Sequence, residues 1–281
     1  MNSSAPSLAG KHVAILGAGR SGRAAARLAL REGGRVSVWD AAGGDVFAGM
    51  PDGVELHPAC MVPTEGFTAD LLVVSPGIDT YGPTVAAFAR TAGEVIGEVE
   101  LAARHYHGKI VGITGTNGKT TTTGLVACML GHAGLGGTAC GNFGVPFAEV
   151  VLEANPPAAV SLELSSFQLE TIRRLHPDVA VWLNFAPDHM DRYPTVEAYR
   201  NAKLRIFENV GEGDLVVARS GEGLPALAAP TVTFSTEDPS ADWFCAGVEI
   251  HHAGRAVIDM ERDTHLRGLH NAENLMAAMA A

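Results

Sequence analysis

Short apolar runs separated by glycine turns and alanine-rich stretches recur along this chain, and their order predicts strands alternating with helices. The first repeat is compact. Residues 13–16 (Val-Ala-Ile-Leu) read as a strand, residues 17–22 as a glycine turn, the Ala/Leu-rich stretch to about Leu30 as a helix, and residues 36–39 as a second strand ending at Asp40. Residues 71–74 form another apolar run that breaks into Ser75-Pro76-Gly77, and 95–104 read as a strand end followed by a helix. After His105-Tyr106-His107-Gly108 a new buried run begins at Ile110, and a helix pattern follows Thr120. Residues 158–162 predict a strand leading to Glu163, then a helix through Gln168 and Ile172, then a strand over 179–183. A turn-rich loop over 184–194 precedes a helix on which Tyr199 and Lys203, four apart, share a face. Residues 214–259 show short alternating segments without a decisive pattern.

This alternation predicts an α/β protein with buried parallel strands. A Rossmann-like domain over 1–107 is followed by a P-loop domain over 108–281, with the boundary at the His-Tyr-His-Gly stretch. The chain ends inside the helix-like run 274–281 with no cap or stop, which predicts a protein whose remaining part is not represented. The length of 281 residues suits two ordinary domains, and 47% apolar with 18% charged residues argues against wholesale disorder. A formal charge of -11 repels polyanions, so general nucleic-acid binding is excluded and any phosphate must be held by local amides and a few cations. Cys60, Cys128, Cys140 and Cys245 are scattered without metal-site spacing and read as reduced, structural thiols. Residues 1–7 have no basic flank, and the 13–16 run is too short for a signal or membrane segment. The expectation is a cytoplasmic, non-membrane protein.

Two stretches carry anion chemistry. In Gly115-Thr116-Asn117-Gly118-Lys119-Thr120-Thr121, after the strand, backbone N–H groups face phosphates, Lys119 supplies a point charge, and the Thr120 hydroxyl reaches a Mg²⁺. The strict P-loop spacing needs a glycine at Ile113, whereas the chain offers Gly112 and Gly115, so the loop is a variant. Gly17-x-Gly19-x-x-Gly22 with Asp40 fits the dinucleotide fingerprint, which taken alone proposes NAD with Asp40 on a ribose hydroxyl. The same glycines serve any diphosphate. Ser75-Pro76-Gly77 either lines that crevice or is a plain turn.

Glu163 stands at a strand's carboxyl end, where the acidic ligand of a P-loop Mg²⁺ site falls. Its plainer reading is a first-turn glutamate, and Glu170 reads as a surface charge. His189, in Asp188-His189-Met190-Asp191, is a second candidate metal ligand or else a satisfied loop histidine. Lys203 is ambiguous. Asn271 and Asn274, three apart, suit a purine edge or a helix cap.

With these residues assembled, the chain resembles the Mur ligase family, through Gly115–Thr121, the run Glu-Leu-Ser-Ser-Phe-Gln-Leu-Glu from Glu163, Asp-His-Met-Asp-Arg-Tyr from Asp188, and Leu266-x-Gly-x-His-Asn-x-x-Asn274. The middle two motifs are similar to the branch that adds D-glutamate, and the likeness is weak over about 214–260. The resemblance implies that Gly19, Arg20, Ser21 and Gly22, with Ser75, Pro76 and Gly77, hold the UDP moiety of UDP-N-acetylmuramoyl-L-alanine. NAD is then not needed, and Asn142 lies near the substrate. Gly115, Thr116, Asn117, Gly118, Lys119, Thr120 and Thr121 hold ATP phosphates, while Asn271 and Asn274 approach adenine. Thr120, Glu163, His189 and a Lys203 carbamylated by CO₂ hold two Mg²⁺ ions, and Lys119, Lys203, His189 and Glu163 form the catalytic set.

The implied reaction activates a carboxylate as an acyl phosphate, which the amine of D-glutamate then displaces, in peptidoglycan precursor synthesis. The family also implies a monomer with a third, C-terminal amino-acid-binding domain. This chain stops before it and is expected to be a poor catalyst alone. An NAD-dependent dehydrogenase, a non-catalytic nucleotide-responsive module and a ligase for another amino acid are the competing readings.

Overall fold

The computed structural model describes residues 7–281. Residues 1–6, most of the N-terminal stretch read above as lacking a basic flank, lie outside the described residues. The chain divides into two compact units. In the first, β1 (His12–Leu16), α1 (Arg20–Arg31), β2 (Arg35–Asp40), β3 (Glu55–Pro58), β4 (Ala69–Val74), α2 (Pro83–Ala89), β5 (Ala92–Gly97) and α3 (Glu98–Ala103) follow in order. The five strands run parallel in the order β3-β2-β1-β4-β5. On one sheet face Ala14, Leu16, Leu72 and Val74 meet Trp39, Phe67 and Phe88. Those three rings lie edge to face at 5.1–5.3 Å between centroids, the arrangement aromatic quadrupoles favour. Ala24, Ala25, Ala26, Leu28 and Ala29 make the buried side of α1, small enough to let the helix lie close to its neighbours.

The second unit begins with β6 (Lys109–Thr114), α4 (Lys119–His132), β7 (Gly136–Gly141), then, beyond α5 (Phe147–Val151) of the first unit, β8 (Ala159–Glu163). After the single turn α6 (Ser166–Leu169) come β9 (Val179–Trp182), α7 (Val196–Leu204), β10 (Leu215–Arg219), β11 (Thr231–Ser235), β12 (Trp243–Ala246), β13 (Glu249–His252), β14 (Arg255–Asp259) and α8 (Leu269–Ala280). Nine strands form one sheet in the order β14-β13-β12-β11-β10-β9-β6-β8-β7. It is parallel from β7 to β12 and antiparallel across β12, β13 and β14. The stretch without a decisive pattern is therefore sheet. Ala253 and Gly254, both at positive φ (50° and 74°), join β13 to β14 as a two-residue connection whose twist matches the strands. Val111, Ile113, Val126, Val181, Val217, Phe234, Leu275 and Met276 fill the core.

The first unit ends in sequence at His107, but it also takes Val145–Pro156 and Phe167–Leu175. Two buried carboxylates of α3 secure these returning segments. Glu98 Oε1 accepts the Ala148 N–H at 2.6 Å, and its carboxyl is pushed up to about 7, first by burial, against that hydrogen bond, with Glu149 adding to the rise. The Glu100 carboxylate accepts the N–H groups of Arg173, Arg174 and Leu175 at 2.9–3.0 Å and the Arg104 Nε at 2.7 Å. The helix expected through Ile172 stops at Leu169: the Thr171 and Ile172 amides reach back only three residues, to the Gln168 and Leu169 carbonyls, and those of 173–175 turn to Glu100. Glu170, read above as a surface charge, is buried. No disulfide joins the four cysteines, and among the described residues no helix is long and apolar enough to cross a membrane.

Candidate functional site

In the first unit the glycine loop is shaped by what it lacks. A Cβ on Gly22 would sit 1.8 Å from the Gly17 carbonyl oxygen, and one on Gly17, at φ +99°, would meet Ser75 Oγ at 2.7 Å. Only glycines let the first turn of α1 press on the end of β1. Above Gly19 a Cβ would meet nothing within 4 Å, so that side of the loop is open. Ser75 lies against it, its N–H donating to the Leu16 carbonyl at 3.0 Å and its hydroxyl to the Gly17 carbonyl at 3.4 Å. The structure thus brings Gly19, Ser21 and Gly22 together with Ser75-Pro76-Gly77, and Arg20 stands exposed at the start of α1. Asp40, the candidate ribose ligand, is engaged by backbone amides of the loop and of the turn after β2. Its Oδ2 accepts the Ala18 N–H and its Oδ1 the Ala42 N–H, both at 2.8 Å.

In the second unit β6 feeds a loop that reverses at Gly115 (φ +158°) and Gly118 (φ +83°), the latter capping the 14-residue α4. Lys119 Nζ donates to the Gly115 and Thr116 carbonyls, both at 2.9 Å, and burial lowers its pKa, opposed by Glu163 and Asp188. The Thr120 hydroxyl donates to Glu163 Oε2 at 3.0 Å, while the Asn142 amide donates to Oε1 at 2.7 Å. Asn142 therefore stands on the carboxylate that ends β8, beside Thr120 of the phosphate loop. A hydroxyl and a carboxylate this close supply hard oxygen donors, which fit a Mg²⁺ ion.

Lys203 resolves its ambiguity. The side chain is 1% exposed, Nζ donates to the Gly115 carbonyl at 2.7 Å, and the ammonium stands 5.0 Å from the Tyr199 ring centroid. Burial brings its pKa down to about 7, helped by Lys119 and opposed by Asp188 and Glu163. A lysine at this pKa spends much of its time as a neutral amine at physiological pH, which a solvated helix lysine does not. One expected result concerns stability. Between about 7 in the folded protein and the ordinary 10.5 of an exposed lysine, the unfolded chain holds more protons, so stability rises with pH across that window. Urea midpoints taken at several pH values will show the rise, and Lys203→Met will flatten it. An equal slope in both proteins would exclude this origin.

His189 is placed differently from a buried ligand. It has φ 54°, its ring lies edge-on to Tyr199 at 5.8 Å, and its side chain is 45% exposed beside Asp188. Among the described residues no group of three or more His, Cys, Asp or Glu side chains is gathered as a metal site. Asn274 is buried against the phosphate loop. Thr122 Oγ1 donates to its Oδ1 at 3.4 Å, and a Cβ on Gly118 would approach that oxygen to 2.2 Å. Asn271 donates to the Arg267 carbonyl at 2.8 Å rather than capping α8, whose N-cap is Gly268. Both asparagines line a cavity of about 570 Å³ that also touches Asn117, Gly118, Thr121 and Phe234.

One residue that sequence reasoning missed fastens this loop. Asn184, just after β9, accepts the Asn117 N–H at 2.9 Å and donates to the Asn117 carbonyl at 3.1 Å. Its signal was only an asparagine in a turn-rich loop, indistinguishable from a turn former.

Fold and site together define an α/β protein in which a Rossmann-like unit is joined to a P-loop unit bearing a carboxylate and a buried lysine. A description of the Mur ligase middle domain matches residues 113–281, and one of the MurD-like N-terminal domain of Mur ligases matches residues 11–97. A UDP-N-acetylmuramoylalanine--D-glutamate ligase from Anaeromyxobacter dehalogenans is 41% identical over 98% of this chain and 64% of its own length. Its namesake from Myxococcus xanthus is 42% identical over 96% of the chain and 64% of its own length. The chain spans just under two thirds of the relatives it matches. Among solved structures, a UDP-N-acetylmuramate:L-alanyl-gamma-D-glutamyl-meso-diaminopimelate ligase from Neisseria meningitides shares the fold. It has TM-score 0.63 and 21% identity, covering 97% of this chain and 93% of that one. The chain belongs to the Mur ligase family.

Proposed function

We propose that this chain is part of an ATP-dependent ligase that adds D-glutamate to UDP-N-acetylmuramoyl-L-alanine in peptidoglycan precursor synthesis. The observation that carries the reading is the assembly on the phosphate loop, where Thr120 meets Glu163 and the amine of Lys203 meets Gly115. The choice of D-glutamate rests on the names of the relatives. The open glycine loop of the first unit, with Ser75-Pro76-Gly77, suits a uridine diphosphate, and Asp40 already accepts the Ala18 N–H of that loop and the Ala42 N–H beyond β2. The reading places the protein in the cytoplasm and makes it a monomer.

Each residue then has a task. Asn184 takes the Thr116 and Asn117 N–H groups, so the first-turn N–H groups of α4 and the Lys119 ammonium hold the triphosphate, and α4 adds the positive end of its dipole. Thr120 and Glu163 would hold a Mg²⁺ ion, which supplies charge neutralisation where a carboxylate must meet the γ-phosphoryl group. His189, exposed beside Asp188, would have to turn inward to serve as a further ligand. A neutral Lys203 amine can add to CO₂ with release of a proton, and the carbamate so formed would place an anion suited to a second ion at this position. The substrate's L-alanyl carboxylate attacks the γ-phosphorus, ADP leaves, and the D-glutamate amine displaces phosphate from the acyl phosphate.

The test is phosphate release by the intact enzyme supplied with ATP, Mg²⁺, UDP-N-acetylmuramoyl-L-alanine and candidate amino acids in turn. Selective stimulation by D-glutamate is expected. Stimulation by another amino acid, or release independent of the UDP substrate, would overturn the assignment.

A further inference from the structure

The nucleotide cavity ends on a carboxylate that none of the motifs assigns. Glu273, on α8 next to Asn274, lines the cavity together with Phe234. Its Oε1 accepts Arg219 Nε at 2.9 Å and Thr236 Oγ1 at 3.0 Å. Arg219 ends β10 and Thr236 follows β11, and in the sheet order these strands are the second and third from β6, which carries the phosphate loop. At the usual strand spacing that is roughly 10–14 Å, the span from the phosphates of a nucleotide to its sugar and base. The carboxylate is also held still, since one oxygen is fixed by two donors, one of them a guanidinium that Glu273 shares with Glu222 and Glu237.

We propose that Glu273 is a specificity residue for the nucleoside, accepting a hydrogen bond from a donor on the bound nucleotide, either a ribose hydroxyl or the exocyclic amine of the base. The inference rests on the reading of this cavity as the ATP site. A carboxylate at that end favours ligands that present N–H or O–H groups and penalises those that present only acceptors, because a charged acceptor left without its donor loses the stronger class of hydrogen bond.

The experiment is calorimetric titration of the 281-residue chain and of Glu273→Gln with Mg²⁺ and four ligands: ATP, 2′,3′-dideoxy-ATP, purine riboside triphosphate and tripolyphosphate. The wild type is expected to lose about tenfold or more in affinity for whichever nucleoside analogue lacks the donor that Glu273 receives. In Glu273→Gln, ATP weakens by a similar factor, the penalty for that analogue disappears, and tripolyphosphate binds as before. Glu273→Asp keeps the charge opposite Arg219 but withdraws the oxygen, and the same loss of discrimination is expected. It decides the matter if Glu273→Gln no longer binds tripolyphosphate. Penalties that persist unchanged in the variant that still binds tripolyphosphate would overturn the inference while leaving the ATP site standing. Wild-type protein that binds neither ATP nor tripolyphosphate would overturn both.

Discussion

Gly118→Ala will abolish useful nucleotide binding, with a loss of about 100-fold or more in ATP affinity, equivalent to roughly 2.7 kcal/mol. Two costs act at once. At φ +83° an L side chain is held in the left-handed region, worth about 1–2 kcal/mol. The added methyl would also sit 2.2 Å from Asn274 Oδ1, so the asparagine must leave the loop it supports. Relief of either cost opens the turn that leads into the first amides of α4. Isothermal titration with ATP measures the loss, and melting curves separate it from unfolding. Gly118→Ala combined with Asn274→Gly removes the collision and keeps the dihedral strain, so it should recover part of the stability. Wild-type affinity in the single variant would show that the loop does not hold the triphosphate.

Glu100→Ala will be the most destabilising single change in the first unit, by about 3–5 kcal/mol, and should lower the first unit's melting temperature by roughly 10 °C or more. The carboxylate is fully buried and serves three successive backbone N–H groups and one guanidinium. Removing it leaves those amides without an acceptor away from water. Arg104 keeps Glu94, which it grips through both terminal nitrogens at 2.6 and 2.8 Å, so the loss falls chiefly on the segment after Leu169. Glu100→Gln should fall between, since the amide accepts on one side and presents N–H groups on the other. Limited proteolysis should cut first near 173–175 in both variants. A melting temperature within about 2 °C of wild type would mean that water serves these amides well enough.

The sequence displayed β1, β2, β4, β6, β8 and β9 because each is a mostly buried apolar run, and both anion loops because a close backbone approach admits so few residue types. Its silences were also physical. β3 (Glu55–Pro58) is an edge strand with mostly exposed side chains, so it carries no apolar alternation. α5 is only five residues long, and its place depends on Glu98, fifty positions earlier. Lys203 looked like any helix lysine, since its burial is decided by the Gly115 carbonyl 88 residues away. Glu273 likewise gains its setting from strands that showed no decisive pattern. Charge type is legible in a sequence; the company a charge keeps is set by tertiary contacts.

The interleaving of the first unit imposes an order on synthesis. Its sheet is encoded by residue 97, yet the acceptors on α3 wait for amides at 148 and at 173–175. A nascent chain released near residue 107 would hold a nearly finished sheet with α1 lacking α5 and with Glu98 and Glu100 buried beside no donor from either segment. The ribosome must deliver about 70 further residues, several seconds of translation, before this unit can close.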